Sequence, residues 1–296
     1  MNEALNIMLK KYNCRSINDY ENALKEIVQE IALLALWRVK FYEKAAFYGG
    51  SALRILYGLN RFSEDLDFSL LKPDEDINLS KYHKAIETEL VGFGLNVKVI
   101  PKTKTSRKQI DSAFIKAGTL QNMISIEVPV NLRKRIHKNK VIKIKFEVDK
   151  DPPEGFNTEA KYLLQPIPFS INTFTMPSLF AGKMHAVLCR KWQHRVKGRD
   201  WYDLVWFIGR NTLLNLKHLE SRMIQSGHLK QQDILTKTKL LKLINNKIDN
   251  INFLLAKDDV RNFIKDQDAL KVWDKVFLET LFKGSNLRLE FRVINQ

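Results

Sequence analysis

The sequence predicts an α+β fold in which a mixed α/β half, carrying a β-sheet flanked by helices, precedes a helical half. Three observations carry that prediction. Short alternating apolar segments recur between residues 45 and 149, several of them separated by segments of helical period. The stretch DKDPPEGF then interrupts the chain at two prolines. From PSLFAGKMHAVLCRKW onward the pattern is helical to the C-terminus. The passage between the halves falls within 155–175, giving parts of 1–165 and 166–296.

In chain order, residues 18–40 (NDYENALKEIVQEIALLALWRVK) place apolar side chains at helical spacing, with Asn18 or Asp19 as the expected N-cap. AAFYGG at 45–50 is a short apolar run ended by glycines and reads as a strand. SALRILYGL reads as a short helix closed at Gly58, and EDLDFSLL at 64–71 alternates as a half-buried strand does. KPDED is a loop, and 79–93 (LSKYHKAIETELVGF) is an amphipathic helix. LNVKVIPKT, SAFIKAGTL, ISIEVPVNL and VIKIKFEVD (141–149) all read as strands. In the last, Ile142, Ile144, Phe146 and Val148 form one face, and Lys143, Lys145, Glu147 and Asp149 the other. No internal repeat or low-complexity segment intervenes.

Composition narrows the class. With 296 residues, 45% apolar and 28% charged, the chain is of globular type and long enough to bury a substantial core. Its two cysteines, Cys14 and Cys189, stand in no metal-ligand spacing, which argues against a disulfide framework or zinc site and suits a reducing cytosol. MNEALNIMLKKYNCRS lacks the apolar core of a signal peptide, and IALLALW (31–37) is too short to span a bilayer. The expectation is a cytoplasmic protein with no membrane partner. A net charge of +16 points to a polyanionic partner, nucleic acid first. The basic runs PKTKTSRK (101–108) and RKRIHKNK (133–140) are candidate tracks for it, or else solvated hairpin loops.

The segment YGGSALRILYGLNRFSEDLDF (48–68) carries the chemistry. A helix N-terminus offers unpaired N–H groups and partial positive charge. Gly49 and Gly50 let backbone approach a phosphate, and the Ser51 hydroxyl can donate to it or cap the helix. Asp65 and Asp67, two apart in a strand, share a face while Leu66 and Phe68 turn to the core. Neighbouring carboxylates repel unless a cation lies between them, and Mg²⁺ accepts both carboxylate and phosphate oxygens. Glu147 can supply a third carboxylate from a neighbouring strand, or be part of an ordinary solvated face. In the second half, Lys183 and Arg190 can share one helix face toward an anion, and Arg199 and Asp203 have the spacing of an i,i+4 ion pair. Trp201, Tyr202, Trp206 and Phe207 read as core rather than as base-stacking surfaces.

These blocks resemble the AbiEii/AbiGii-type nucleotidyltransferase toxins, a branch of the DNA polymerase β-like nucleotidyltransferase superfamily. The resemblance covers about 45 to 207: the G-G-S…D-L-D segment, VIKIKFEVDKDPP, YLLQPIPFSINTFTMPSLFAGKMHAVLCR and KGRDWYDLVWF. It implies a nucleotidyltransferase domain over 1–165 and a helical domain over 166–296 that completes the active-site cleft. It implies that Gly50 and Ser51, beside Gly49, cradle the triphosphate of an NTP, with Arg61 and Ser63 shaping the following loop. Asp65 and Asp67 would be Mg²⁺ ligands. Glu147 stands where many members of the superfamily carry Asp, as metal ligand or as base. Lys183 would contact nucleotide phosphates, and Asp203 would lie in the last motif. The implied reaction moves NMP from an NTP to an acceptor hydroxyl, an RNA such as tRNA being favoured by the charge. The implied setting is a toxin–antitoxin or phage-defence system with a cognate antitoxin encoded nearby. The alternatives are a non-catalytic nucleic-acid- or partner-binding module on this fold, and nucleotidylation of a protein or small molecule.

Overall fold

The computed structural model describes residues 3–102, 110–126, 128–134, 136–190, 196–283 and 286–290. Residues 103–108 of the first basic run and Arg135 of the second lie outside the described residues. The chain divides into two compact units, one of 1–58, 62–152 and 159–173, the other of 59–61, 153–158 and 174–296.

The first unit opens with helices α1 (Glu3–Lys10) and α2 (Ile17–Arg38). The N-cap of α2 is Ser16 rather than Asn18 or Asp19. Asp19 instead occupies the third helical position, where its carboxylate accepts from the Ser16 N–H at 2.9 Å while the Ser16 hydroxyl accepts from the Asp19 N–H at 3.2 Å. The S-x-x-D spacing closes this reciprocal capping box. Strand β1 (Ala45–Tyr48) leads into helix α3 (Gly49–Tyr57), which ends at Gly58 in the left-handed conformation. Strand β2 (Leu66–Leu70), helix α4 (Ser80–Gly92) and strands β3 (Val97–Pro101) and β4 (Ile110–Gly118) follow.

The strand expected over 124–132 is not formed. Helices α5 (Thr119–Ser125) and α6 (Val130–Arg133) occupy the region. Pro129 lies inside the run and has no N–H to give a ladder, so the run cannot act as an interior strand. Met123 and Ile126 bury at helical spacing instead. Strand β5 (Val141–Asp149) then forms as the alternation requires, and β6 (Thr158–Leu163) and β7 (Phe169–Phe174) complete the sheet.

The sheet is seven-stranded and mixed, in the order β3-β4-β5-β2-β1-β7-β6. β2 runs antiparallel to β1 and parallel to β5, so two strands distant in sequence meet in the centre. Aromatic rings fill one face there. Phe68 lies 5.2 Å from Phe47, 5.3 Å from Phe146 and edge-on to Phe41 at 5.2 Å, and Tyr82 of α4 closes over Phe41 at 4.6 Å. All five rings are buried. Because side chains alternate, burying Phe68 and Phe146 turns Asp67 and Glu147 to the opposite face.

A polar cluster underlies α3. Arg54 of α3 donates to Glu26 of α2 at 2.9 Å, and the Tyr12 hydroxyl donates to the same carboxylate at 3.0 Å. Beside it the Lys11 ammonium pairs with Glu30, whose other oxygen is buried without a hydrogen-bond partner. Burial pushes the Glu30 carboxyl up to about 7, against the pull of Lys11. The native state therefore keeps a proton that the unfolded chain releases near the ordinary glutamate value. That contribution is complete below the ordinary value and is lost as pH rises through about 7. Glu30→Gln removes the dependence. Its stability relative to wild type is expected to rise by on the order of 2 kcal/mol between about pH 5 and about pH 8, read by urea unfolding across that range.

The second unit is built on α7 (Met176–Cys189), α8 (Gly198–Gly209), α9 (Leu216–Gln225), α10 (Lys237–Asp249), α11 (Phe253–Arg261) and α12 (Lys275–Leu281). Phe180 of α7 stacks on Phe207 of α8 at 4.7 Å, and Trp201 meets Phe282 edge-on at 6.3 Å. α8 begins hard against α11: a β-carbon on Gly198 would lie 1.8 Å from the Ala256 carbonyl oxygen. No helix among the described residues is long and apolar enough to cross a membrane.

Candidate active site

Three segments of the first unit converge at one end of β2. Tyr48, the last residue of β1, stands opposite Asp67 in the antiparallel pair, and Glu147 stands opposite Asp67 in the parallel pair. Asp67 and Glu147 are thus neighbours on one sheet face, on strands whose backbones lie one spacing of about 4.8 Å apart. Glu147 is also held by Lys145 at 2.7 Å.

The chain turns into α3 immediately beside this pair. Gly49 has φ +83°, and a β-carbon there would lie 2.4 Å from Asp67 Oδ2. Only glycine accepts both the dihedral and the proximity of the carboxylate. The N-cap residue, Tyr48, provides no side-chain hydrogen bond to the first amides of α3. Gly49→Ala is expected to cost about 1–3 kcal/mol in stability. By displacing Asp67 it should also lower turnover on the order of a hundredfold, since misplacement by about an ångström has that effect. Thermal melts and initial rates measure the two separately.

The Ser51 hydroxyl has a structural task. It is buried and donates to the Asp65 backbone carbonyl, so it fastens the start of α3 to the loop that leads into β2. Gln29 of α2 secures the same place, donating to the Ser63 carbonyl at 3.1 Å and to the Ser51 hydroxyl at 3.4 Å. One turn earlier, Lys25 pairs with Glu64 at 3.0 Å. Ser63 thus enters through its backbone. Asp65 lies one residue before β2, and its carbonyl is the anchor for Ser51. Gln29 is the residue sequence reading missed. Its signal was a polar position inside the apolar window EIVQEIALLALW, in line with Glu26 and Glu30.

The donors at this corner are carboxylate oxygens, which suit a hard divalent cation. Among the described residues no three His, Cys, Asp or Glu side chains form a group that could hold an ion alone. Mg²⁺ characteristically takes one or two carboxylates and completes its shell with substrate phosphates and water. The Asp67–Glu147 pair beside the N-terminus of α3 fits that requirement.

The second unit carries a buried ionic network around Asp203. Arg61 grips Asp203 with two bonds, Nε to Oδ1 and Nη2 to Oδ2, each 2.6 Å, and both side chains are at most 3% exposed. Lys183 of α7 reaches Asp203 at 2.8 Å and Asp200 at 3.1 Å, and Arg190 reaches Asp200 at 3.2 Å. Lys183 and Arg190 do point to a common anion, and it is Asp200. Burial opposes ionisation of Asp200, but Lys183 and Arg190 outweigh it and hold its carboxyl below the ordinary value. Burial likewise disfavours the Arg61 cation, yet Asp203 raises its pKa above the usual arginine value. The i,i+4 pair expected between Arg199 and Asp203 is not formed. Arg199 turns to Asp259 at 3.4 Å and stacks its guanidinium over Phe263, because Asp203 faces the interior. Trp201 and Phe207 are buried, while Tyr202 and Trp206 are half-buried.

A mixed sheet bearing adjacent carboxylates, with a helix N-terminus beside them, has the features of a nucleotidyltransferase, a class of enzyme that uses an NTP and a divalent metal. The chain belongs to the family described as nucleotidyl transferase AbiEii toxin of type IV toxin–antitoxin systems, which it matches over residues 31–277. Members of such a family act with a cognate antitoxin. Among solved structures the chain is similar to JHP933 from Helicobacter pylori, at 17% identity and a TM-score of 0.42, over 88% of this chain and 90% of that one. It is also similar to an antigenic nucleotidyltransferase-like protein from Paracoccidioides brasiliensis, at 12% identity and a TM-score of 0.41, over 82% of this chain and 95% of that one. No curated protein matches.

Proposed function

We propose that the protein transfers a nucleoside monophosphate from an NTP to a hydroxyl of an RNA acceptor such as tRNA, acting in the cytoplasm as the toxin of a toxin–antitoxin or phage-defence pair. The observation that carries this reading is the register of Asp67 opposite Glu147, with Gly49 pressed against the Asp67 carboxylate. It sets the α3 N-terminus, the phosphate site of this reading, against the pair assigned to the metal.

Asp67 and Glu147, with Asp65 two residues earlier, are the residues assigned to hold Mg²⁺. When bound, that ion supplies neutralising charge at the phosphate oxygens. The Gly50 and Ser51 amides receive the phosphate chain at the α3 N-terminus, where the helix dipole favours negative charge. The acceptor oxygen bonds to the α-phosphorus, the bond from that phosphorus to the bridging oxygen breaks, and pyrophosphate leaves. The hydroxyl proton passes to solvent. Lys183 keeps the role the resemblance implies, as a cation for nucleotide phosphates. Asp200 and Asp203 fix its position and Arg61 fixes Asp203, so these three act as positioning residues. This assigns Arg61 to holding Asp203 and not to direct nucleotide contact.

The test incubates purified protein with Mg²⁺, each α-labelled NTP in turn and total tRNA. Label on RNA with at least one NTP is the expected result. Label that migrates with protein or a small molecule, and never with RNA, overturns the acceptor assignment.

A further inference from the structure

The face of the sheet that carries Asp67 and Glu147 continues across β5, β4 and β3, and its side chains fall into rows. One row reads Ser112, Glu147, Asp67. The next reads Ile100, Phe114, Lys145, and the one beyond it Lys98, Lys116, Lys143. In that last row three lysines stand directly opposite one another on three adjacent strands. Lys98 and Lys143 are exposed and Lys116 is half-exposed, and among the described residues none of the three forms an ion pair. Like charges facing each other across strands destabilise a sheet. Such a row is relieved by a polyanion laid along it.

The intermediate row adds a second kind of surface. Ile100 is 41% exposed, Phe114 is half-buried, and the Lys143 ammonium lies 4.9 Å from the Phe114 ring centre. The ammonium lies over the ring, and a phosphate that draws the flexible lysine to itself leaves the ring to a base. Lys143 and Glu147 are four residues apart on one strand, roughly 13 Å, a reach of two to three nucleotides. The lysine row itself spans two strand spacings, roughly 10 Å.

We infer that this open face, Lys98–Lys116–Lys143 with Phe114 and Ile100, binds the single-stranded end of the nucleic-acid acceptor and delivers its terminal hydroxyl to the Asp67–Glu147 corner. The inference rests on the nucleotidyltransferase reading above and adds to it the surface that selects the acceptor. The phosphates lie over the lysines and a base near the end of the strand stacks at Phe114. A duplex has its bases paired within the helix and offers none to this ring, so the surface prefers single strands.

The test compares wild type with Lys98→Gln/Lys116→Gln/Lys143→Gln and with Phe114→Leu. Anisotropy of a labelled single-stranded RNA of roughly twelve nucleotides is followed from about 50 to about 300 mM NaCl. The triple variant should bind at least about tenfold more weakly at the lowest salt. Its log K against log salt slope should be shallower by about 2, three contacts at about 0.7 each. Its melting temperature should equal or exceed that of wild type, because mutual repulsion has been removed. Phe114→Leu should bind about tenfold more weakly with an unchanged slope, since stacking releases no counterions. Equal affinity and slope in the triple variant overturn the inference. So does a poly-glutamate peptide of equal charge competing as well as the RNA, which would assign the face to an acidic protein.

Transfer assays on the same proteins separate this inference from its parent. Wild type that binds RNA through the row yet labels none sinks the acceptor reading and leaves the surface standing. Wild type that labels RNA, beside a triple variant with unchanged KM for it, sinks the surface and leaves the reaction. The inference predicts a raised KM for RNA with kcat within about twofold of wild type.

Discussion

Asp67→Asn is expected to lower nucleotide transfer by on the order of 10³-fold while leaving the protein folded. The substitution keeps volume and one acceptor oxygen but removes one of the two charges that face each other across the parallel ladder. In the proposed site, loss of one metal-holding carboxylate is worth several kcal/mol in the transition state, and about 1.4 kcal/mol corresponds to each tenfold in rate. Stability should change little, because the side chain keeps its volume and one acceptor oxygen and stands at the edge of the core, not inside it. Wild-type rates in Asp67→Asn would contradict the site, and so would a collapse of stability, which would give Asp67 a structural role. Glu147→Gln should follow the same pattern, with one difference. Lys145 loses its partner there, so a small loss of stability should accompany it.

Asp203→Asn should do the reverse, damaging the fold first. Asp203 is fully buried and holds both Arg61 and Lys183. Removing its charge leaves Arg61, itself 2% exposed, without its neutralising partner. Breaking a buried pair from one side costs about 3–5 kcal/mol. That lowers the melting temperature by on the order of 10 °C in a protein of this size. Replacing both members together is different, because no uncompensated charge remains. Arg61→Leu/Asp203→Leu should therefore recover most of the loss. A double variant no more stable than Asp203→Asn would show that the pair is not the source. Activity in the double variant reports on Lys183, which keeps Asp200 but loses its second anchor.

What could be read in the sequence follows the range of the forces involved. The glycine turn at Gly49 and the outward direction of Asp67 were legible because dihedral demand and alternation are local. The Ser51 hydroxyl, expected at a phosphate or as a cap, goes instead to the Asp65 carbonyl, and Asp65 lies before the strand. The facing direction of Glu147 was legible from the alternation of β5, but its position opposite Asp67 depends on β5 inserting next to β2, which is set by the whole sheet. The strand expected over 124–132 fails on a local signal that was present, Pro129. The Ser16 cap was also present as S-x-x-D, but Asn18 and Asp19 matched the generic cap equally well.

The second unit shows the limit more sharply. By spacing alone, Arg199 was the natural partner of Asp203. The structure gives Arg199 to Asp259 and Asp203 to Arg61, a residue far away in the chain. Which charges meet inside a protein is decided by packing, and helical spacing supplies only the nearest candidate. Gln29 illustrates the same point, since its contacts with Ser51 and Ser63 exist only once α2 lies beneath the loop.

The central claim is that the Asp67–Glu147 corner and the α3 N-terminus together transfer a nucleotidyl group. The most direct measurement supplies the preferred NTP in parallel with its label at the α-phosphate and at the γ-phosphate, together with RNA acceptor and Mg²⁺, and follows both labels. The account predicts α-label on the acceptor and γ-label released in pyrophosphate, both abolished in Asp67→Asn. γ-Label on the acceptor, with α-label remaining in the nucleotide, would show phosphoryl transfer instead and would contradict it.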